Sequence, residues 1–462
     1  MKKSLLVFFT FIFLNYTNTV VSQDISGQWF GVLTFNGVSL RINIQINKTG
    51  NGFNSTLDSP DQGAKGIPAD LTTFENSELK IEINKGKIGF SGKYSADNKI
   101  IGTFTQGGQS IPLEFGRSEL VSKPIHSQEP VKPYPYYTED VSFTNKSDHV
   151  TLSGTLSLPS EKGKFPVVVL ISGSGPQNRD EELLGHKPFL VLADYLTRNG
   201  VGVLRFDDRG TAKSEGDFKS ATTEDFSRDV EAAVKYLLKR KQVNKKKIGL
   251  IGHSEGGIIA PIVAAKLKEV SFIVLMAGTG VSGGDLLLLQ QLLIGRSEGG
   301  SEEQLQQIQE MNKGAYSIIQ LNQDTVKLKS DLEEYYQPIL QDKEMVDLYV
   351  DQLTSPWMKF FITYDPSLIL KDVKCPVLAL NGSKDLQVPS RINLEAIRSA
   401  LEKGGNVDFT IKEFPEMNHL FQECQTGAIK EYAMIDQTIS PLVLDEILKW
   451  IQSKQKKSTQ FE

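Results

Sequence analysis

The sequence predicts an α/β protein with a mostly parallel central sheet, interrupted by a helical insertion and preceded by a small all-β domain. Three observations carry this. From Phe165 onward, short apolar runs alternate with segments of helical period, as strands and crossover helices of a parallel sheet do. Between Asp24 and about Arg117, by contrast, only short alternating stretches occur, punctuated by Asn, Gly and Asp turns. The third observation is local. The run Ile248-Gly249-Leu250-Ile251 passes straight into Gly252-His253-Ser254-Glu255-Gly256 and then Ile258-Ile259-Ala260. A G-x-S-x-G between a strand and a helix sets the serine on a sharp turn with its hydroxyl exposed above the sheet. Glycines flank it because a Cβ at Gly252 or Gly256 would collide with neighbouring backbone.

At 462 residues the chain is too long for a single core. Its net charge of -5 comes without a basic face, so no nucleic-acid partner is indicated. The basic run Lys239-Arg240-Lys241 to Lys245-Lys246-Lys247 reads as a solvated loop before the strand that carries Ser254. Residues 1–22 read as a signal peptide. Lys2 and Lys3 form the positive end, and Leu5 to Leu14 form an apolar stretch too short to span a bilayer. Val20-Val21-Ser22 offers a cleavage site, which implies an exported protein, periplasmic or secreted, with no stable membrane insertion after cleavage. Loss of Lys2 and Lys3 moves the charge from -5 to about -7.

The two cysteines do not read as a disulfide. Cys375 opens a strand whose far end leads to Asp385, and Cys424 lies near that far end. A strand of that length spans ~20 Å, and a disulfide needs Cα atoms within ~7 Å. Two free thiols are expected. Cysteines so spaced form no metal site.

The first domain spans 24–118, with segments such as GQWFGVLTF, SLRINIQIN and LKIEINKGKIGFSGKYS, and reads as a barrel or curled sheet of about six to eight strands. Nothing in it looks catalytic; it either covers the catalytic domain or binds a ligand. A linker follows over 119–136, where Pro124, Pro130, Pro133 and Pro135 give a semi-rigid spacer. The catalytic domain spans 137–456. Its strands include Val167 to Ile171, Gly202 to Phe206, Phe272 to Met276, Val377 to Leu380 and Asp408 to Phe414. Helices are expected at Pro188 to Arg198, at Thr223 to Lys239 with Thr222 or Thr223 as N-cap, and from Ser440-Pro441 onward. Residues 281–365 carry helix alone. Ser301-Glu302-Glu303-Gln304 resembles a capping box, and Leu328, Leu332, Tyr335, Tyr336 and Ile339, then Met345, Leu348, Tyr349 and Leu353, mark apolar helix faces. An insertion of this size between two strands reads as a lid.

A serine hydroxyl needs an adjacent base, and in this arrangement the partners follow in the order Ser, acid, His. Of five histidines, only His419 comes after both the serine and a late strand. The acid belongs after the preceding strand, in Asn381-Gly382-Ser383-Lys384-Asp385, which selects Asp385. It would hold the imidazole tautomer. The oxyanion needs two backbone donors. One is the N–H of Glu255; the other is taken from Ser172-Gly173-Ser174-Gly175, with Ser174 preferred and Gly175 the alternate. Each such donor is worth ~3–4 kcal/mol in the transition state.

GHSEGG, NGSKDLQVP and MNHLF resemble the α/β-hydrolase superfamily. Within it they are similar to serine esterases near the dienelactone-hydrolase and serine-aminopeptidase-like groups, and GSGPQNRDE, FDDRGTAKSEG and SPWMKFFITYDP resemble an esterase subfamily with an N-terminal extra domain. The resemblance covers about Tyr137 to Lys454. It implies the α/β-hydrolase fold, hydrolysis of small-molecule carboxylic esters through an acyl-enzyme, and no cofactor. Two positions depart from the pattern. Ala212 stands where the D-x-R-G-x-G-x-S loop has its second glycine, and Ser172 stands where many relatives carry histidine. Peptidase, amidase or thioesterase chemistry would use the same triad, and Glu255, Glu333, Glu334 and Asp351 are the carboxylates a free amino terminus would need. A silent ligand-binding protein is the reading from another class.

Overall fold

The computed structural model describes residues 24–457, apart from 36–37, 51, 61–63, 85, 96, 107–108, 119–125 and 323. The expected signal peptide and the first part of the linker lie outside the described residues. Two units are distinguished.

The first is a nine-stranded sheet: β1 (Gly27–Phe35), β2 (Val38–Thr49), β3 (Gly52–Ser59), β4 (Ala64–Pro68), β5 (Leu71–Glu75), β6 (Glu78–Ile83), β7 (Ile88–Ser95), β8 (Lys99–Gln106) and β9 (Gln109–Gly116). Their order is β4-β3-β2-β1-β9-β8-β7-β6-β5. The count exceeds the six to eight expected. β4 and β5 are short and carry no residue of the buried class, so neither shows the alternation by which a strand is recognised. These two are also the ends of the sheet, joined through Ala69 and Asp70. Ser55 Oγ on β3 and Thr72 Oγ1 on β5 lie 2.8 Å apart, so the sheet curls until its ends meet. Side chains fill the inside. Trp29, Ile44, Ile46, Leu79, Ile100 and Phe115 are all buried, Trp29 Nε1 donates to the Ile25 carbonyl at 2.8 Å, and the Arg117 guanidinium lies 3.8 Å over the indole.

The second unit is an eight-stranded sheet: β10 (Tyr137–Asn145), β11 (Val150–Leu158), β12 (Phe165–Ile171), β13 (Gly202–Phe206), β14 (Val243–His253), β15 (Val270–Met276), β16 (Val377–Gly382) and β17 (Phe409–Phe414). The order is β10-β11-β13-β12-β14-β15-β16-β17. The β10–β11 hairpin is antiparallel and pairs antiparallel with β13; the remaining pairs are parallel. Consecutive residues of β12 face opposite layers. Val167, Val169 and Ile171 pack with α2 (Thr223–Leu237), α3 (Gly256–Lys266) and α10 (Ser390–Lys403). Val168 and Leu170 pack with α1 (Pro188–Arg198) and α12 (Pro441–Lys457). β12 is therefore buried on both faces, which is why it reads as a continuous apolar run. The basic run Lys245-Lys246-Lys247 lies inside β14 rather than in a loop. Val243 pairs with Phe165, and a bulge separates that pair from the Val167–Ile248 pair, so the lysines ride an exposed start of the strand.

Between β15 and β16 lie α4 (Gly283–Ser297), α5 (Glu302–Leu321), α6 (Thr325–Leu340), α7 (Lys343–Leu353) and α8 (Pro356–Thr363), followed by the single turn α9 (Ser367–Leu370). Ser301 and Gln304 form the expected capping box. The face of α7 differs from the expected one. Val346, Val350 and Leu353 fill the bundle core, whereas Leu348 is 39% exposed. Spacings of four and three put these three on one stripe, while Leu348 stands off it. α4 falls in the stretch expected to be helical, although its run of leucines marks no single apolar face.

The loop after β13 is tied by Arg209, whose Nε donates to Asp229 Oδ2 at 2.7 Å and whose Nη2 donates to Asp148 Oδ2 at 2.7 Å. Within it Ala212 sits at φ +47°. A left-handed residue with a Cβ costs about 1–2 kcal/mol, and glycine there returns part of the gain through unfolded-state entropy. Ala212→Gly is therefore expected to stabilise this unit by up to about 1 kcal/mol, read as a higher urea midpoint at unchanged slope. A lower midpoint would show that the alanine methyl contributes packing that outweighs the strain.

Candidate active site

The carboxyl ends of β12, β13, β14, β15, β16 and β17 share one edge of the sheet, and the candidate residues gather there. β14 ends at His253 and α3 begins at Gly256, leaving Ser254 and Glu255 to make the whole turn. Ser254 has φ +53°, and its N–H donates to the Met276 carbonyl at 2.9 Å. The turn has no room for side chains at its flanks. A Cβ on Gly252 would lie 1.9 Å from the Gly256 carbonyl oxygen, and one on Gly256 would lie 2.2 Å from that of Ile171.

Asp385 follows β16 and His419 follows β17. Both are buried, and His419 Nδ1 lies 2.7 Å from Asp385 Oδ2. The N–H groups of Gln387 and Val388 both donate to Asp385 Oδ1 at 2.8 Å. A carboxylate so engaged on both oxygens fixes the histidine ring, with Nδ1 as donor. The histidine is tied to the serine's neighbour. His253 Nε2 lies 3.0 Å from the His419 carbonyl oxygen, and the two rings are 4.7 Å apart, centre to centre.

The loop after β12 reaches the serine from the other side. A Cβ on Gly173 would stand 3.2 Å from Ser254 Cβ. The Gly173 N–H is already taken, donating to Glu181 Oε1 at 2.8 Å. The next residue, Ser174, is exposed, and Gly175 lies at φ +93°. Ser172, at the position where the resemblance leads one to expect histidine, donates from Oγ to Asp208 Oδ1 at 2.7 Å.

Four residues of the site are not singled out by the sequence analysis, although Glu181, Asp208 and Trp357 lie in motifs that carry the family resemblance and Thr223 is read there as a helix cap. Glu181 faces His253 Nδ1 at 2.9 Å. Asp208 is buried beneath the loop. Thr223, at the start of α2, and Trp357, on α8, donate to the same oxygen of the buried Glu255 side chain at 2.7 and 2.8 Å. Each partner comes from a distant stretch of chain, and none is placed by a period or a spacing. Burial pushes the Asp208 carboxyl well above the usual carboxylate range, against the hydrogen bonds from Ser172 and Gln177. Burial also raises Glu255, against Thr223 and Trp357. Cys375 and Cys424 are both free thiols. Among the described residues no cluster of His, Cys, Asp and Glu could hold a metal ion.

A family model described as BAAT / Acyl-CoA thioester hydrolase C terminal matches residues 230–424. The chain is 26% identical over 383 residues to the esterase EstD of Thermotoga maritima, covering 82% of this chain and 80% of that protein. Among solved structures, a hypothetical protein from Pseudomonas aeruginosa aligns at 16% identity and a TM-score of 0.45, over 73% of this chain and 99% of that one. An esterase from Pyrococcus furiosus aligns at 16% identity and a TM-score of 0.42, over 70% and 91%. With its strand order and its serine turn between β14 and α3, the chain has the α/β-hydrolase fold preceded by an N-terminal all-β domain, and over four-fifths of its length it is similar to an esterase.

Proposed function

We propose that the protein hydrolyses carboxylic esters of small to medium acyl chains through an acyl-enzyme on Ser254. The observation that carries this is the buried His419–Asp385 pair, tied through the His419 carbonyl to His253, whose chain neighbour Ser254 is held at φ +53°. Ser254 Oγ attacks the ester carbonyl while His419 Nε2 takes its proton. Asp385 holds the ring and stabilises the imidazolium. The tetrahedral oxyanion is met by the backbone N–H groups of Glu255 and Ser174. His419 then protonates the departing alcohol, and water repeats the sequence to release the acid. The similarity to an esterase over four-fifths of the chain supports this substrate class.

A second reading, acyl thioester hydrolysis, is favoured by the description of the matching family model. The same groups would serve it, with a thiol leaving in place of the alcohol. Cleavage of peptides from a free amino terminus loses its nearest anchor, since the Glu255 carboxyl is buried and engaged by Thr223 and Trp357. Two finer points belong to the same proposal. The helices from α4 to α8 act as a lid, supported by their place between β15 and β16. The chain is exported, supported by Lys2, Lys3 and the apolar run behind them; amino-terminal sequencing of the mature protein tests this.

Ser254→Ala is expected to remove p-nitrophenyl ester turnover and fluorophosphonate labelling, a loss of roughly 10⁴-fold or more, with the thermal melt preserved. His419→Ala is expected to be comparably severe, and Asp385→Asn somewhat less so. Labelling that persisted on another serine would refute the assignment. Parallel assays on acyl thioesters and aminoacyl anilides rank the alternatives. Removal of the N-terminal domain, by starting the chain at Val131, is expected to leave kcat on a small ester within about tenfold. A folded but inactive truncation would show that the domain completes the site.

Glu255 gives a separate, pH-dependent test. Its folded pKa is raised, so its contribution to stability is complete below the ordinary carboxylate range and is lost as pH rises through the folded value. Glu255→Gln keeps an oxygen for Thr223 and Trp357 but cannot ionise. Its Tm is expected to fall less than that of the unmodified protein between about pH 5 and about pH 8. Equal slopes would place the Glu255 proton elsewhere.

A further inference from the structure

A buried pair beside the proposed triad has no part in the chemistry described above. Glu181 Oε1 receives the Gly173 N–H at 2.8 Å and faces His253 Nδ1 at 2.9 Å. On the far side of that ring, Nε2 lies 3.0 Å from the backbone carbonyl of His419. A carbonyl oxygen can only accept, so Nε2 carries a hydrogen. The single Glu181 oxygen already accepts one N–H, and it fits a second donor at Nδ1 best as a carboxylate. The ring then holds hydrogens on both nitrogens. Glu181 and His253 are 4% and 6% exposed, so water does not compete for these bonds. The backbone is bent to place the carboxylate, since Glu181 sits at φ +51° and Leu184 at φ +50°. Residues held in this region without a glycine cost energy, and they cluster where a particular geometry is enforced.

We propose that Glu181 and His253 form a buried carboxylate–imidazolium pair that positions the two halves of the esterase site, holding the oxyanion loop through Gly173 and the general base through the carbonyl of His419. Both are positioning residues; neither meets the substrate. The inference rests on the esterase reading given above. The charged and titratable groups facing His253 are Glu181, Asp385 and His419 itself. Burial opposes a charge on His253. The Glu181 carboxylate and its hydrogen bond, with the His419 carbonyl, outweigh it and raise the pKa above the usual imidazole value.

The pair makes its own demands on a variant. In Glu181→Gln one amide oxygen cannot accept from Gly173 and also satisfy a neutral His253, so one of the two holds is given up. His253 loses its counter-charge and becomes neutral. On a p-nitrophenyl ester, Glu181→Gln is therefore expected to lower kcat by roughly 10- to 100-fold with KM within about twofold. Glu181→Asp retains the charge and is expected to restore most of that kcat. A folded Glu181→Gln protein with unchanged kcat overturns the proposal.

A measurement on the unmodified protein stands if the variants fail to fold. With ¹⁵N-labelled histidine, one buried ring, assigned by its loss in His253→Gln, is expected to remain protonated on both nitrogens at about pH 8. If every ring is singly protonated there, the pair is not ionic and the proposal falls. This readout needs no turnover, so it separates failure of the proposal from failure of the esterase reading, which Ser254→Ala decides.

Discussion

Two missing side chains decide where Ser254 goes. With the Gly256 carbonyl 1.9 Å from where a Gly252 Cβ would stand, and the Ile171 carbonyl 2.2 Å from that of Gly256, only glycine lets α3 turn back so closely over β14 and β12. That closeness forces the intervening Ser254 to φ +53°, a conformation worth about 1–2 kcal/mol of strain. It also leaves the Gly173 backbone close against the serine, where a Cβ would stand 3.2 Å from Ser254 Cβ. Everything else at the site is arranged to meet a serine fixed in this way.

The second requirement is a set of acids and bases kept apart although they share one sheet edge. Asp385 is held by backbone N–H groups and by His419, so its charge is compensated. Asp208 and Glu255 are enclosed with neutral donors, and burial pushes both toward the protonated form. A full negative charge on either, behind the loop after β12, would oppose the oxyanion of the proposed reaction. Three buried carboxyl groups at one sheet edge thus meet different partners, because different strands surround them.

The sequence made legible whatever depends on local pattern. The bounds of α1 and β13, the capping box at Ser301 and Gln304, and the strand-to-helix setting of Ser254 follow from period, caps and glycines. Asp385 and His419 could be picked out because each follows an apolar run in the right order. Partnerships between distant segments were not legible. Glu181 with His253, and Trp357 with Glu255, exist only once the sheet has aligned its strands. β4 and β5 were missed because a strand with no buried side chain has no alternation, and the inward face of α7 was misjudged because two apolar stripes compete on one short helix.

The place of the helical insertion also bears on how the chain folds. β15 and β16 are neighbours, with Met276 paired to Leu380, yet α4 to α9 lie between them in the chain. Closing so long a loop costs entropy before the pair returns any energy, and contacts of high sequence separation form slowly. β10 to β15 join through much shorter connections. Asp385 and His419 both lie beyond β16, so they reach Ser254 only when that pair has zipped. Under the proposed mechanism, a nascent or half-folded chain can hold a complete serine turn and still be chemically inert, since His419 arrives with the last strands of the sheet.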